Sequence, residues 1–179
     1  YKKPEISNND EWNAGGVRVE VLEPGERLRT TYDGTALYML DPRDMKDPSK
    51  AFKSNPFKKI QLDLVHHGVG PLYGHVGEPG DGNDFARAHS EQHMRVKGTL
   101  SIEGEVAINI NGHGIRDHSW GPRFWQSVPS YRWITGNYGD DLGMVLSVAG
   151  DRRGGMFHKG TELLQIKDIE LSTEYEQGT

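Results

Sequence analysis

The residues best suited to chemistry crowd into one stretch, Gly112 to Trp125, which reads GHGIRDHSWGPRFW. It holds His113 and His118, Arg116 and Arg123, Asp117, and the large aromatics Trp120, Phe124 and Trp125. A turn is served by Gly, Asn, Asp and Pro and has no use for two indoles and two guanidinium groups. Asp117 and His118 are an acid and a base. As neighbours in an extended segment they point to opposite faces, so each needs a partner from another strand. The plain alternative, Asp117 pairing with a buried arginine and His118 capping a strand, weighs equally for either residue alone. The stretch as a whole points further, because its aromatics are costly to expose and suit a flat or polyene ligand.

A second cluster is His89, Glu91 and His93, followed by Arg95. At a spacing of two they line one face of a strand, about 7 Å apart. Such a face is either turned to solvent, the commoner outcome, or lines a polar cavity where a histidine or glutamate exchanges protons with a substrate. Two histidines and a carboxylate also resemble a zinc or iron set. That set needs a fixed third ligand, and nothing ties His66, His67 or His113 to this face, so no metal ligand is assigned. Tyr73 and His75 read as part of a surface loop packed by one aromatic. Tyr131 and Trp133 share a strand face and serve either as core or as the wall of a pocket. No Ser-His-Asp order with an elbow motif and no phosphate-cradling glycine loop is present.

The elements that must position these residues read as short strands. Val17, Val19 and Val21 alternate with polar residues, Pro24-Gly25 is a turn, and Arg27–Tyr32 and Thr35–Leu40 flank an Asp33-Gly34 hairpin turn. Residues 41–59 read as a surface loop. Ile60, Leu62 and Leu64 alternate again. Gly68 to Asn83 reads as a long loop, of a length that is often functional inside compact domains. Phe85–Val96, 99–103 and 105–111 follow as strands, then Ser130–Thr135, Leu142–Ala149 and two more within 156–172; Lys167 to Tyr175 could form a helical turn. With no helical stripe of ten residues, the fold class is all-β and antiparallel, a sandwich or a barrel.

The chain has 179 residues, a formal net charge of -5 and no cysteine. It is long enough for one ordinary domain or two small halves. The negative balance and the lack of a basic cluster argue against a nucleic-acid partner. No apolar run is long enough to span a membrane, and disulfides and thiolate metal sites are excluded. No secretory leader is visible. The chain begins at Tyr1, as a processed or truncated piece would, so location stays open with the cytoplasm slightly favoured.

From His89-Ser90-Glu91-Gln92-His93 through Gly98, and over Gly114-Ile115-Arg116-Asp117-His118-Ser119-Trp120-Gly121, the sequence resembles the carotenoid 1,2-hydratase and AttH-like superfamily. That superfamily includes kievitone hydratase and fungal decalin-forming Diels–Alderases. The resemblance covers residues 60–135 well and 16–40 more loosely. It implies two lipocalin-like antiparallel barrels: an arm over 1–15, a first barrel over 16–111, and the start of a second over 112–179. Members are usually much longer, so this second barrel has too few strands to close. The chain would then be a fragment, pair with another copy or segment, or form one barrel plus an appendage.

The resemblance further implies an apolar, often isoprenoid or polyene substrate and cofactor-free chemistry, either addition of water to an alkene or pericyclisation. Asp117 is then the acid and His118 its partner, with His93 and Glu91 as base or relay. Trp120 and Trp125 would stabilise a developing cation through their π faces. Arg116, Arg123, Tyr73, His89, Tyr131 and Trp133 are the expected substrate contacts. Protonating an alkene calls for an acid that is partly buried and keeps its proton, so Asp117 and His118 are expected to face an enclosed apolar chamber. The rival readings are a lipocalin-like carrier of an apolar ligand and a metal-dependent enzyme using His89 and His93.

Overall fold

The computed structural model describes residues 10–76, 86–123, 126 and 128–174. The fold is all-β and antiparallel, and the chain divides into two compact units. The first comprises residues 1–68 and 95–112, the second 69–94 and 113–179. One division between the units falls between residues 112 and 113. Residues 69–94, expected in the first half, belong to the second unit.

In the first unit, β1 (Glu11–Ala14), β2 (Val17–Glu23), β3 (Arg27–Leu37) and β4 (Phe57–Gly68) form an antiparallel meander. β4 is followed in the sheet by β6 (Ala86–Ile102), whose later part lies in this unit, as does the start of β7 (Ile108–Arg123). The valine alternation of β2 places Val17, Val19 and Val21 opposite Tyr32, Thr30 and Leu28. Three expectations change here. Residues 11–14 of the supposed arm pair with β2, closed by a turn with Gly15 and Gly16 at φ 61 and 88. Asp33-Gly34 is no hairpin turn, because β3 runs through it in unbroken register with β4, from Arg27↔His67 to Leu37↔Phe57. Gly34 instead leaves room for the Tyr32 ring, whose hydroxyl would lie 2.5 Å from a Cβ there. Residues 41–59 contain a 3-10 turn over Pro42–Lys46 and a helix, α1 (Pro48–Ser54). Each begins with proline after an aspartate cap, Asp41 and Asp47, whose carboxylates accept from Arg43 N and Lys50 N.

In the second unit, β8 (Tyr131–Asn137), β9 (Leu142–Ala149), β10 (Arg152–Lys159) and β11 (Glu162–Ile166) form a sheet of order β11-β10-β9-β8. The apolar run Leu142–Ala149 is an inner strand of that sheet, which is why it lacks polar alternation. β5 (Tyr73–Val76) pairs with the first part of β6, and β7 also pairs with β6. Part of the expected Gly68–Asn83 loop is therefore strand; residues 77–83 lie outside the described residues. No helix forms over residues 167–174. Among the described residues the sheets close into no barrel. No helix among them is long and apolar enough to cross a membrane.

The second unit buries Ala88, Met94, Val145 and Ile169 together with four polar residues, Glu91, Gln92, His93 and His158. Burying polar groups without hydrogen-bond partners is costly; Glu91, Gln92 and His93 Nε2 find partners, whereas among the described residues neither ring nitrogen of His158 does.

Candidate functional site

The period of two in β6 holds His89, Glu91 and His93 on one face. Glu91 is the buried carboxylate of the set, its side chain only 5% exposed. β8 meets this face with Trp133, whose indole Nε1–H donates to Glu91 Oε1 at 2.8 Å. Two residues along β8, Thr135 Oγ1 lies 3.3 Å from His93 Nε2. β7 supplies Asp117, whose Oδ1 stands 2.8 Å from His89 Nε2, and that imidazole nitrogen is also 3.4 Å from Glu91 Oε1. One imidazole is thus flanked by two carboxylates, one buried and one 46% exposed.

β5 completes the cluster. Its register with β6 sets Tyr73 opposite Glu91. The Tyr73 hydroxyl is buried and completes no hydrogen bond among the described residues. Burial first, then the charge of Glu91 and a hydrogen-bonding approach to it, then the charge of Asp117, drive its pKa far above that of an ordinary phenol. Tyr73 is held as a neutral donor beside two carboxylates.

His93 belongs to a different environment. Its Nε2 donates to the Met144 carbonyl at 3.2 Å, and its ring lies 4.9 Å from that of His158. Burial, then the neighbouring His158, lower its pKa. The pair packs against Gly70 and Gly143, where an added Cβ would run into the imidazoles. His93 is therefore part of a buried histidine pair and lies outside the His89–Asp117 cluster.

His118 and Asp117 do take opposite faces of β7, and they are not partners. His118 Nδ1 accepts from Arg116 Nη2 at 3.3 Å, Arg116 Nη1 donates to Ser90 Oγ at 3.2 Å, and the His118 ring lies 5.2 Å from Trp120. Burial, then the Arg116 charge, lower the His118 pKa, and Asp117 opposes them. The expected pairing of Asp117 with His118 does not form; Asp117 meets His89 instead. The expectation of an enclosed apolar chamber around Asp117 and His118 also fails. Both residues are exposed, as are Trp120 and Tyr131.

The central stretch is the extended second half of β7, where alternation sends Arg116, His118 and Trp120 one way and Asp117 the other. Phe124 and Trp125 lie outside the described residues, as does the placement of the Arg123 side chain. Sequence reasoning missed His158 and the pairing of His113 Nε2 with Asp140 Oδ1 at 2.8 Å. Both depend on strand register, which no local spacing reveals.

A family model described as a domain of unknown function, DUF7064, matches residues 1–179. The chain belongs to the DUF7064 family. No curated protein and no solved structure matches it. In this DUF7064 chain the groups that meet are His89, Glu91 and Asp117, with Tyr73 and Trp133 around them. The three ligand-type atoms of His89, Glu91 and Asp117 all lie within 4.8 Å of one another.

Proposed function

We propose that the second unit is a proton-transfer site acting on a hydrophobic, unsaturated small molecule, a hydro-lyase of the hydratase type. The observation that carries this reading is the imidazole of His89 between the buried carboxyl of Glu91 and the exposed carboxylate of Asp117. Such a set can pass a proton inward and reload it from water. In hydration, one proton goes to an alkene carbon, water oxygen bonds to the resulting cation, and the surplus proton returns to the set. The alkene and one water give one alcohol. Trp133 fixes the Glu91 carboxylate through its indole N–H, and Tyr73 is a neutral donor close by. The resemblance to the carotenoid hydratase and AttH-like superfamily supports an apolar, isoprenoid- or polyene-like substrate. The acid–base roles move from Asp117 with His118 to Glu91 and His89 with Asp117.

Incubation of the protein with isoprenoid and polyene alkenes in ¹⁸O-water tests this. Incorporation of ¹⁸O into a product alcohol is expected. Glu91→Gln and His89→Ala should each lower it by about 10²-fold or more, the usual worth of general acid–base catalysis. His118→Ala should leave it within a few-fold. Recovery of the panel unaltered, or full activity in Glu91→Gln, would overturn the assignment. A ligand recovered bound and unaltered would favour the carrier.

A further inference from the structure

We propose that His89 Nε2, Glu91 Oε1 and Asp117 Oδ1 form a binding site for a divalent cation of the zinc class. One imidazole and two carboxylates are donors that zinc accepts. Two donors on a zinc ion with bonds near 2.0 Å stand about 3.3 Å apart in tetrahedral geometry. His89 Nε2 and Glu91 Oε1 are 3.4 Å apart, and His89 Nε2 and Asp117 Oδ1 2.8 Å. The third separation falls within 4.8 Å. The triangle therefore needs only a modest shift of Asp117, which is 46% exposed and free to make it.

Two further observations point the same way. The Glu91 carboxylate is oriented by the Trp133 indole N–H at 2.8 Å, the kind of supporting bond that fixes a metal ligand. Tyr73, opposite Glu91 in the register, sets a buried hydroxyl beside the Glu91 carboxylate, a second group able to steady that ligand. The rival histidine–carboxylate pair, His113 with Asp140, has no third ligand among the described residues.

The assignment uses the same cluster as the hydratase reading but does not rest on that reaction. A cation and the shared proton compete for the same atoms, so the two claims fail separately. Isothermal titration of the chelator-treated full chain with zinc chloride at neutral pH is expected to show one ion per chain. Asp117→Asn and His89→Ala should each weaken binding at least tenfold, and His113→Ala should leave it unchanged. Circular dichroism checks that each variant is folded; the exposed Asp117 is the variant least able to disturb folding. The site is overturned by the absence of stoichiometric binding. It is equally overturned by binding that Asp117→Asn leaves intact or that His113→Ala abolishes. Zinc binding without ¹⁸O incorporation removes only the hydratase reading, and incorporation without zinc binding removes only the cation site.

Discussion

At the scale of single residues, the candidate site depends on one buried carboxylate and the indole that fixes it. Trp133→Phe keeps the aromatic bulk but removes the N–H that reaches Glu91 Oε1. A buried polar group that loses a hydrogen bond costs about 1–3 kcal/mol, and urea unfolding of this variant should read a loss of that size. Acid sensitivity also begins with single side chains. Burial, then the neighbouring His67, hold the His66 pKa below its ordinary value. The unfolded chain therefore takes up a proton on His66 at a higher pH than the folded chain does. That stability is fully present above about 6.5, the unfolded value, and is lost as pH falls through the folded pKa. Unfolding midpoints in urea should decline from pH 7 to pH 5, and His66→Gln should flatten the decline. The sequence made Glu91, His89 and Asp117 legible as chemical residues, because charged and imidazole groups at strand spacing are visible in a string. It could not name their partners, since His89 and Asp117 are 28 positions apart and meet only through strand pairing.

At the scale of elements, β-strand alternation sorts the central stretch into two sets of contacts. Asp117 joins the His89 face, and Arg116, His118 and Trp120 form a separate row in which His118 and Trp120 are exposed. Close strand approach is marked by glycine. At Gly98 on β6, an added Cβ would collide with the Asp63 carbonyl of β4. Gly98→Ala should cost about 1–3 kcal/mol or more by overpacking, read as a lower urea midpoint. Gly143 on β9 has a softer neighbourhood, the His93 and His158 rings, so Gly143→Ala should be the milder change in the same assay. Asp33-Gly34 shows why local signals mislead. The dipeptide favours a turn, but continuous pairing of β3 with β4 over eleven residue pairs outweighs that preference.

At the scale of the whole molecule, the two units are interleaved along the chain. β6 and β7 each contribute residues to both, so neither unit is one continuous segment. A fragment ending at Gly112 would keep both segments of the first unit, but it would strand residues 69–94 without β8 and the second half of β7. Limited proteolysis of such a fragment should cut within 69–94 and leave the 11–68 meander protected, whereas the full chain should resist cleavage around Glu91 and His93.

The sequence by itself determined the all-β class, the absence of disulfide chemistry and the identity of the reactive side chains. Period-two alternation, glycine punctuation and residue type are local properties. Only the tertiary structure decided that Asp117 answers to His89, that His93 pairs with a histidine 65 positions away in a buried site, and that Glu91 is the buried acid. Those outcomes follow from register, and a slip of one residue would turn each of these side chains to the opposite face.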